Sequence, residues 1–177
     1  MKLLFLLVLV LIALGGGAYY YGKSQKQSEP NVITNFEECI AAHSVVMEMY
    51  PRVCRTQDGR SFTENIGNEL EMTDIISVSL PRPNSVIRSP LLVRGAARGQ
   101  WFFEANFPVR LLDDQGKEIA KNFATAEGEW MTENFVPFTA TLEFARPVGK
   151  KGRLIIENAN PSGMPENAKE LSIPVQF

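Results

Sequence analysis

Two cysteines, one histidine and a few loop carboxylates are the residues of this chain whose types could do chemistry. Cys39 and Cys54 come first. A zinc site needs about four Cys, His or acidic ligands, and His43 is the only histidine that could join the cysteines. The two cysteines therefore read as a disulfide that closes a short loop, worth roughly 3 kcal/mol in the chain-entropy model. His43 has no second histidine to work with and reads as a helix-end residue, not an acid–base catalyst. Glu104, Glu127, Glu129 and Glu133 are numerous enough for the acid pair of a glycoside hydrolase. No spacing singles out a pair among them, and they read as solvated loop residues. Asp113-Asp114-Gln115-Gly116 offers oxygens to calcium but lacks EF-hand spacing, and a hairpin turn accounts for it. No catalytic, metal or cofactor-binding residue is assigned, and no cofactor is expected.

The aromatics are the remaining candidates. Trp101, Phe102, Glu104, Trp130 and Met131 form a candidate binding surface, since tryptophan combines large contact area with a polar handle. The competing reading is that these rings plug the end of a sandwich, and it is favoured. Trp101, Phe102 and Phe103 are consecutive, and directions alternate along a strand, so at least one of the three is exposed or covered by the 127–134 loop.

These residues must be positioned by elements that the hydrophobic pattern marks out. Leu3 to Tyr21 is an uncharged apolar run, close to the ~20 residues a membrane helix needs. It ends in three tyrosines, suited to the lipid–water interface. Residues 1–22 are expected to be a retained transmembrane anchor, with a cleaved signal sequence as the alternative. Either sends the bulk of the chain out of the cytoplasm, as a single-pass membrane protein or a secreted one. Residues 23–33 read as a polar linker. Residues 34–68 read as a small helix–hairpin module. Thr34-Asn35-Phe36-Glu37 predicts a capping box with Thr34 at the cap. Phe36, Cys39, Ile40 and His43 fall on one helical face, and Asp58–Gly59 marks the turn of a hairpin over Val53–Thr63.

Residues 75–177 alternate on the period of two. Ile76, Val78 and Leu80 share a face, as do Phe107, Val109 and Leu111; Phe138, Ala140, Leu142 and Phe144; and Leu171, Ile173, Val175 and Phe177. Seven strands with turn signals between them predict a mainly β fold, an immunoglobulin-like seven-stranded antiparallel sandwich. Pro108 and Pro174 cannot donate to a ladder and are expected where their strands face solvent or an edge. The formal net charge of -2 gives no basic footprint for nucleic acid.

Four segments carry a family resemblance: Val86–Ala97, Trp101–Ala105, Glu129–Met131 and Asn160–Gly163. In order and spacing they resemble the immunoglobulin-like domain of bacterial spore-germination and related envelope proteins, over about Ile75 to Phe177. Phe36 to Glu64 resembles a short segment found beside that domain. The resemblance implies an immunoglobulin-like fold in an envelope protein and no catalytic activity. The expected role is adhesion or protein–protein contact outside the membrane. The partners expected are the membrane, through the N-terminal helix, and an envelope protein or cell-wall glycan. The alternatives are an accessory subunit of an envelope or germination-type complex, and a glycan-binding or glycan-hydrolysing surface protein. Further out is a protease inhibitor, because Cys54–Asn65 resembles a Kazal-type hairpin, although such domains carry six cysteines.

Overall fold

The computed structural model describes residues 32–177. The expected anchor over 1–22 and nearly all of the linker lie outside the described residues. Among the described residues no helix is long and apolar enough to cross a membrane.

The N-terminal module opens with helix α1 (Phe36–Ala41). Its cap lies one residue later than the sequence pattern predicts. Asn35 is the cap and accepts from the Glu38 N–H at 2.9 Å. The Glu38 carboxylate reaches back to the N–H and hydroxyl of Thr34, which holds its pKa below the ordinary value. The swap is physical: Asn and Thr both cap well, and Glu38 is the acid that can reach back. α1 buries Phe36 and Cys39, but Ile40 is exposed, and His43 lies beyond the helix at φ 54. The predicted four-residue face is thus cut to its first two members. Three short strands follow: β1 (Val45–Met47), β2 (Val53–Arg55) and β3 (Ser61–Thr63), in the order β1-β2-β3. Gly59 at φ 87 makes the β2–β3 turn. The Cys39–Cys54 disulfide, S–S 2.01 Å, joins α1 to β2 in a core shared with Phe36.

The sandwich comprises β4 (Ile76–Leu80), β5 (Leu91–Arg98), β6 (Asn106–Asp113), β7 (Glu118–Ala126), β8 (Phe135–Leu142), β9 (Lys151–Glu157) and β10 (Glu170–Gln176). The strand order is β10-β9-β6-β7-β8-β5-β4, every pairing antiparallel. The β7–β8 junction holds only through Thr125↔Thr139 and Ala126↔Phe138. The sheet therefore folds there into two leaves, β10-β9-β6-β7 and β8-β5-β4. Where the two strands part, the Asn122 amide takes over. It donates to the Thr141 carbonyl at 2.7 Å and accepts from the Phe123 N–H at 2.8 Å. Between the leaves lie the buried faces of Val93, Phe107, Val109, Leu111, Phe138, Leu154, Leu171 and Ile173. Gly95 is forced by this packing, since a Cβ there would lie 2.1 Å from the Ser77 carbonyl oxygen.

Two strand expectations need correction. Leu80 is exposed, because the β4–β5 register shifts between Val78 and Leu80 and turns it off the core face. β5 continues through Arg98, and a short 3-10 segment follows from Gly99 to Trp101. Pro108 lies on a central strand, but β6 pairs with β9 only from Val109 onward, so its missing N–H disrupts no ladder bond. Pro174 sits on β10, the last strand in the order, as expected.

That last strand is nonetheless covered. Asn84 N–H donates to the Pro174 carbonyl, Ile87 N–H to the Gln176 carbonyl, and Gln176 N–H to the Ser85 carbonyl. Val86 bridges Gln176 in parallel. Further along, Asn68 accepts from the Ser172 N–H at 2.8 Å and donates to the Glu170 carbonyl at 2.9 Å. An unpaired edge invites strand addition, and this one is closed by side chains and loop backbone. Gly67 crosses so tightly that a Cβ would lie 1.8 Å from the Ser172 oxygen. Helix α2 (Glu69–Met72) follows, and Met72 and Ile75 pack against the sandwich core.

The module meets the sandwich through two buried carboxylates. Glu64 forms a two-point pair with Arg52, at 2.7 and 2.9 Å, and accepts from Asn84 at 3.0 Å. Its pKa is held down, chiefly by the Arg52 hydrogen bonds. Glu69 accepts from Arg82 at 2.9 Å and from the Tyr50 hydroxyl. Partial burial, together with the Glu69 carboxylate, pushes the Tyr50 hydroxyl up to about 12.

Candidate interaction surface

The loop after β5 begins at Gly99. A Cβ there would lie 1.9 Å from the Thr132 carbonyl oxygen, so glycine lets the 99–105 and 127–134 loops touch. Trp101 is 1% exposed and Phe102 is also buried. Both rings pack on Phe107, Trp101 edge-on at 6.5 Å and Phe102 at 5.0 Å. Phe102 follows the 3-10 segment, and Phe103 then points out, 48% exposed. Phe103 and Asn106 exchange backbone hydrogen bonds around Glu104 (φ 50) and Ala105 (φ 61). Two successive left-handed residues are the geometry of a type I′ turn, which normally calls for Asn or Gly. The Asn106 side chain braces it by donating to the Glu104 carbonyl at 2.7 Å.

Of the predicted surface, then, Trp101 and Phe102 belong to the core; the 3-10 segment breaks the strand alternation, so both face inward and Phe103 alone of the three points out. Trp130 packs half-buried against the same core. Glu104 stands at the lip of a groove. Met131 is 74% exposed on the neighbouring loop. The groove itself is an open cleft of about 480 Å³ lined by Phe103, Pro108, Phe123, Ala159 and Pro161. Phe123 is 55% exposed and stands opposite Pro108 across β6–β7. The signal for Phe123 was present, since it alternates out of phase with buried Ala124. The turn that aims Phe103 carries no glycine and could not be read.

The asparagine side chains around this groove are already engaged. Asn106 accepts from Thr125, and Asn160 donates to the Met164 carbonyl. Asn158 accepts from Lys169 N–H and donates to the Asn167 carbonyl. Apart from the Glu104 carboxylate at its lip, what the groove offers a ligand is apolar: two exposed rings and two prolines. Beside it, Arg110 pairs with Glu157 and Glu118 on the outer face of β6. The Glu157 hydrogen bond is the main cause raising the guanidinium pKa. Glu104, Glu127, Glu129 and Glu133 are all exposed. Asp113 serves its turn, accepting from the N–H groups of Gln115 and Lys117.

A model of the family described as the immunoglobulin-like domain of bacterial spore germination matches residues 75–164. The chain belongs to that family. Neither a curated protein nor a solved structure matched it. In this germination-type immunoglobulin-like domain the matched span carries both loops of the Phe103 turn and all the groove residues. It stops before β10, which pairs along the whole of β9 and completes that leaf.

Proposed function

We propose that the chain is a non-catalytic envelope protein that displays its immunoglobulin-like domain outside the membrane for protein–protein contact, with residues 1–22 as its anchor. The observation that carries this is the Phe103–Phe123 groove, two half-exposed rings held on the β6–β7 pair with no free polar side chain among the groove asparagines. Exposed apolar area of this kind is typical of contact surfaces. The engaged amides favour a protein over a glycan, which would need free hydrogen-bonding groups. The disulfide suits an oxidising compartment. The family description supports a second reading of the same chemistry, in which the chain is an accessory subunit of an envelope or germination-type complex. A photo-crosslinking residue placed at Phe103 or Phe123 in living cells tests both readings. A discrete protein adduct from both sites, absent when the probe replaces Lys117, is expected. Labelling of wall glycan alone, or adducts equal to those at Lys117, would overturn the proposal.

A further inference from the structure

The two ends of the sandwich carry opposite charge. The loops 99–105, 127–134 and 158–169 share one end and hold five carboxylates and one cation, Lys169. The loops 81–90, 114–117 and 143–150 share the other and hold five cations and two carboxylates, Asp114 and Glu143. At the basic end lies a cleft of about 440 Å³ lined by Val86, Arg88, Ser89, Phe144, Arg146 and Phe177. Its floor is aromatic, with Phe144 and Phe177 edge to face at 5.9 Å. Arg88 has no ion-pair partner among the described residues. Arg146 donates through one nitrogen to the main-chain oxygen of Phe177 at 3.2 Å, which leaves the rest of its fork of donors available. An apolar cleft between two guanidiniums that keep free donors fits an apolar side chain flanked by carboxylates.

The opposite end of the same domain presents that element. Met131 stands out from the 127–134 loop between Glu129 and Glu133, all three exposed. The loop is held rather than slack: Trp130 packs on the core and Gly99 seats the Trp130 and Thr132 carbonyls. A fixed loop has little ordering entropy to lose on binding. We propose that the domain docks head to tail on a second copy of itself, the Glu129–Met131–Glu133 loop of one copy entering the Arg88–Arg146 cleft of the next. The two surfaces differ, so the contact is heterologous, and each copy keeps one free end from which a row can grow. This surface is separate from the Phe103–Phe123 groove, and either can fail without the other.

The test is sedimentation of the full chain in a non-ionic detergent. Concentration-dependent association is expected at about 0.01 M salt and its loss at about 1 M, as the screening length falls from roughly 30 to 3 Å. Arg88→Gln with Arg146→Gln neutralises the cleft, and Glu129→Gln with Glu133→Gln neutralises the loop. Each double variant alone should lose association at least roughly tenfold, as charge complementarity is removed. Mixed, they should form a one-to-one complex and stop, because one variant still supplies the loop and the other the cleft. That complex also shows both variants folded. Association of either variant at the wild-type level, or no complex in the mixture, overturns the proposal. So does a wild-type chain that stays monomeric while a free peptide of residues 127–134 binds it, since the cleft then serves an acidic peptide of another protein.

Discussion

Replacing Asn68 with alanine should weaken the whole sandwich, although Asn68 lies outside residues 75–164, the span that carries the family pattern. Its side chain makes two hydrogen bonds to β10, with Ser172 N–H and with the Glu170 carbonyl. It makes no capping bond to α2, so the loss would not be one of helix capping. Each such bond contributes about 0.5–1.5 kcal/mol net, and removing both should cost about 2 kcal/mol. For a domain of this size each kcal/mol moves the melting point by roughly 3–5 °C, so a drop of roughly 6–10 °C is expected. Asn68→Asp retains the acceptor for Ser172 N–H and loses the donor to Glu170, and should cost about half as much. The assay is urea unfolding of residues 32–177, followed by tryptophan fluorescence, since Trp101 is buried in the core. If Asn68→Ala costs less than about 0.5 kcal/mol, the level of an ordinary surface change, the reasoning fails. A fragment beginning at Ile75 that unfolds like the longer chain would fail it equally.

Three further outcomes follow from the same geometry. Cys39→Ser should destabilise the module by roughly 3 kcal/mol while hydrogen exchange in β5, β6 and β8 stays unchanged; faster exchange there would mean that the module completes the core. Ala105→Gly should stabilise the domain by about 0.5 kcal/mol in a melting experiment, because relief of the left-handed alanine (φ 61) outweighs the added freedom of the unfolded chain. The seam between module and sandwich should weaken at both pH extremes. Glu64 has a lowered pKa, so its contribution is complete above the ordinary 4.5 and is lost as pH falls through the folded value. Tyr50 has a raised one, so its contribution is complete below 10.0 and is lost as pH rises toward about 12. Exchange rates at Arg52, Glu64 and Asn84 across pH would check both limbs.

The strands of the sandwich were legible because each buries alternate residues against one core, and the pattern at Phe107, Val109 and Leu111 is a direct imprint of that. The Asp58–Gly59 turn and the disulfide were legible from local chemistry. What escaped had no local signal. β1 is three residues long and mostly exposed. The Asn68 latch joins residues 104 positions apart through a polar side chain that looks like any loop asparagine. The cap moved by one because Thr34 and Asn35 are both good caps, with an acid three residues after each. Leu80 left the core face because a bulge resets the alternation after Val78. At the surface, the tryptophans drew the eye because of their type, but large rings near a loop are as useful to a core as to a ligand. Phe103 is exposed because of a turn made from Glu104 and Ala105, residues that rarely adopt it, and Phe123 because it alternates with buried Ala124 on β7.

The central claim is that this domain works by apolar contact through the Phe103–Phe123 groove. The most direct measurement compares the full chain with a Phe103→Ser, Phe123→Ser variant, both affinity-purified from solubilised membranes. Both rings are about half exposed, so the variant's melting point should stay within the range of ordinary surface changes, about 0.5 kcal/mol. The account predicts that the folded variant loses its co-purifying partner at least roughly tenfold, the share expected when two contact anchors are removed. Recovery of the same partner in wild-type amounts by the folded variant would contradict it.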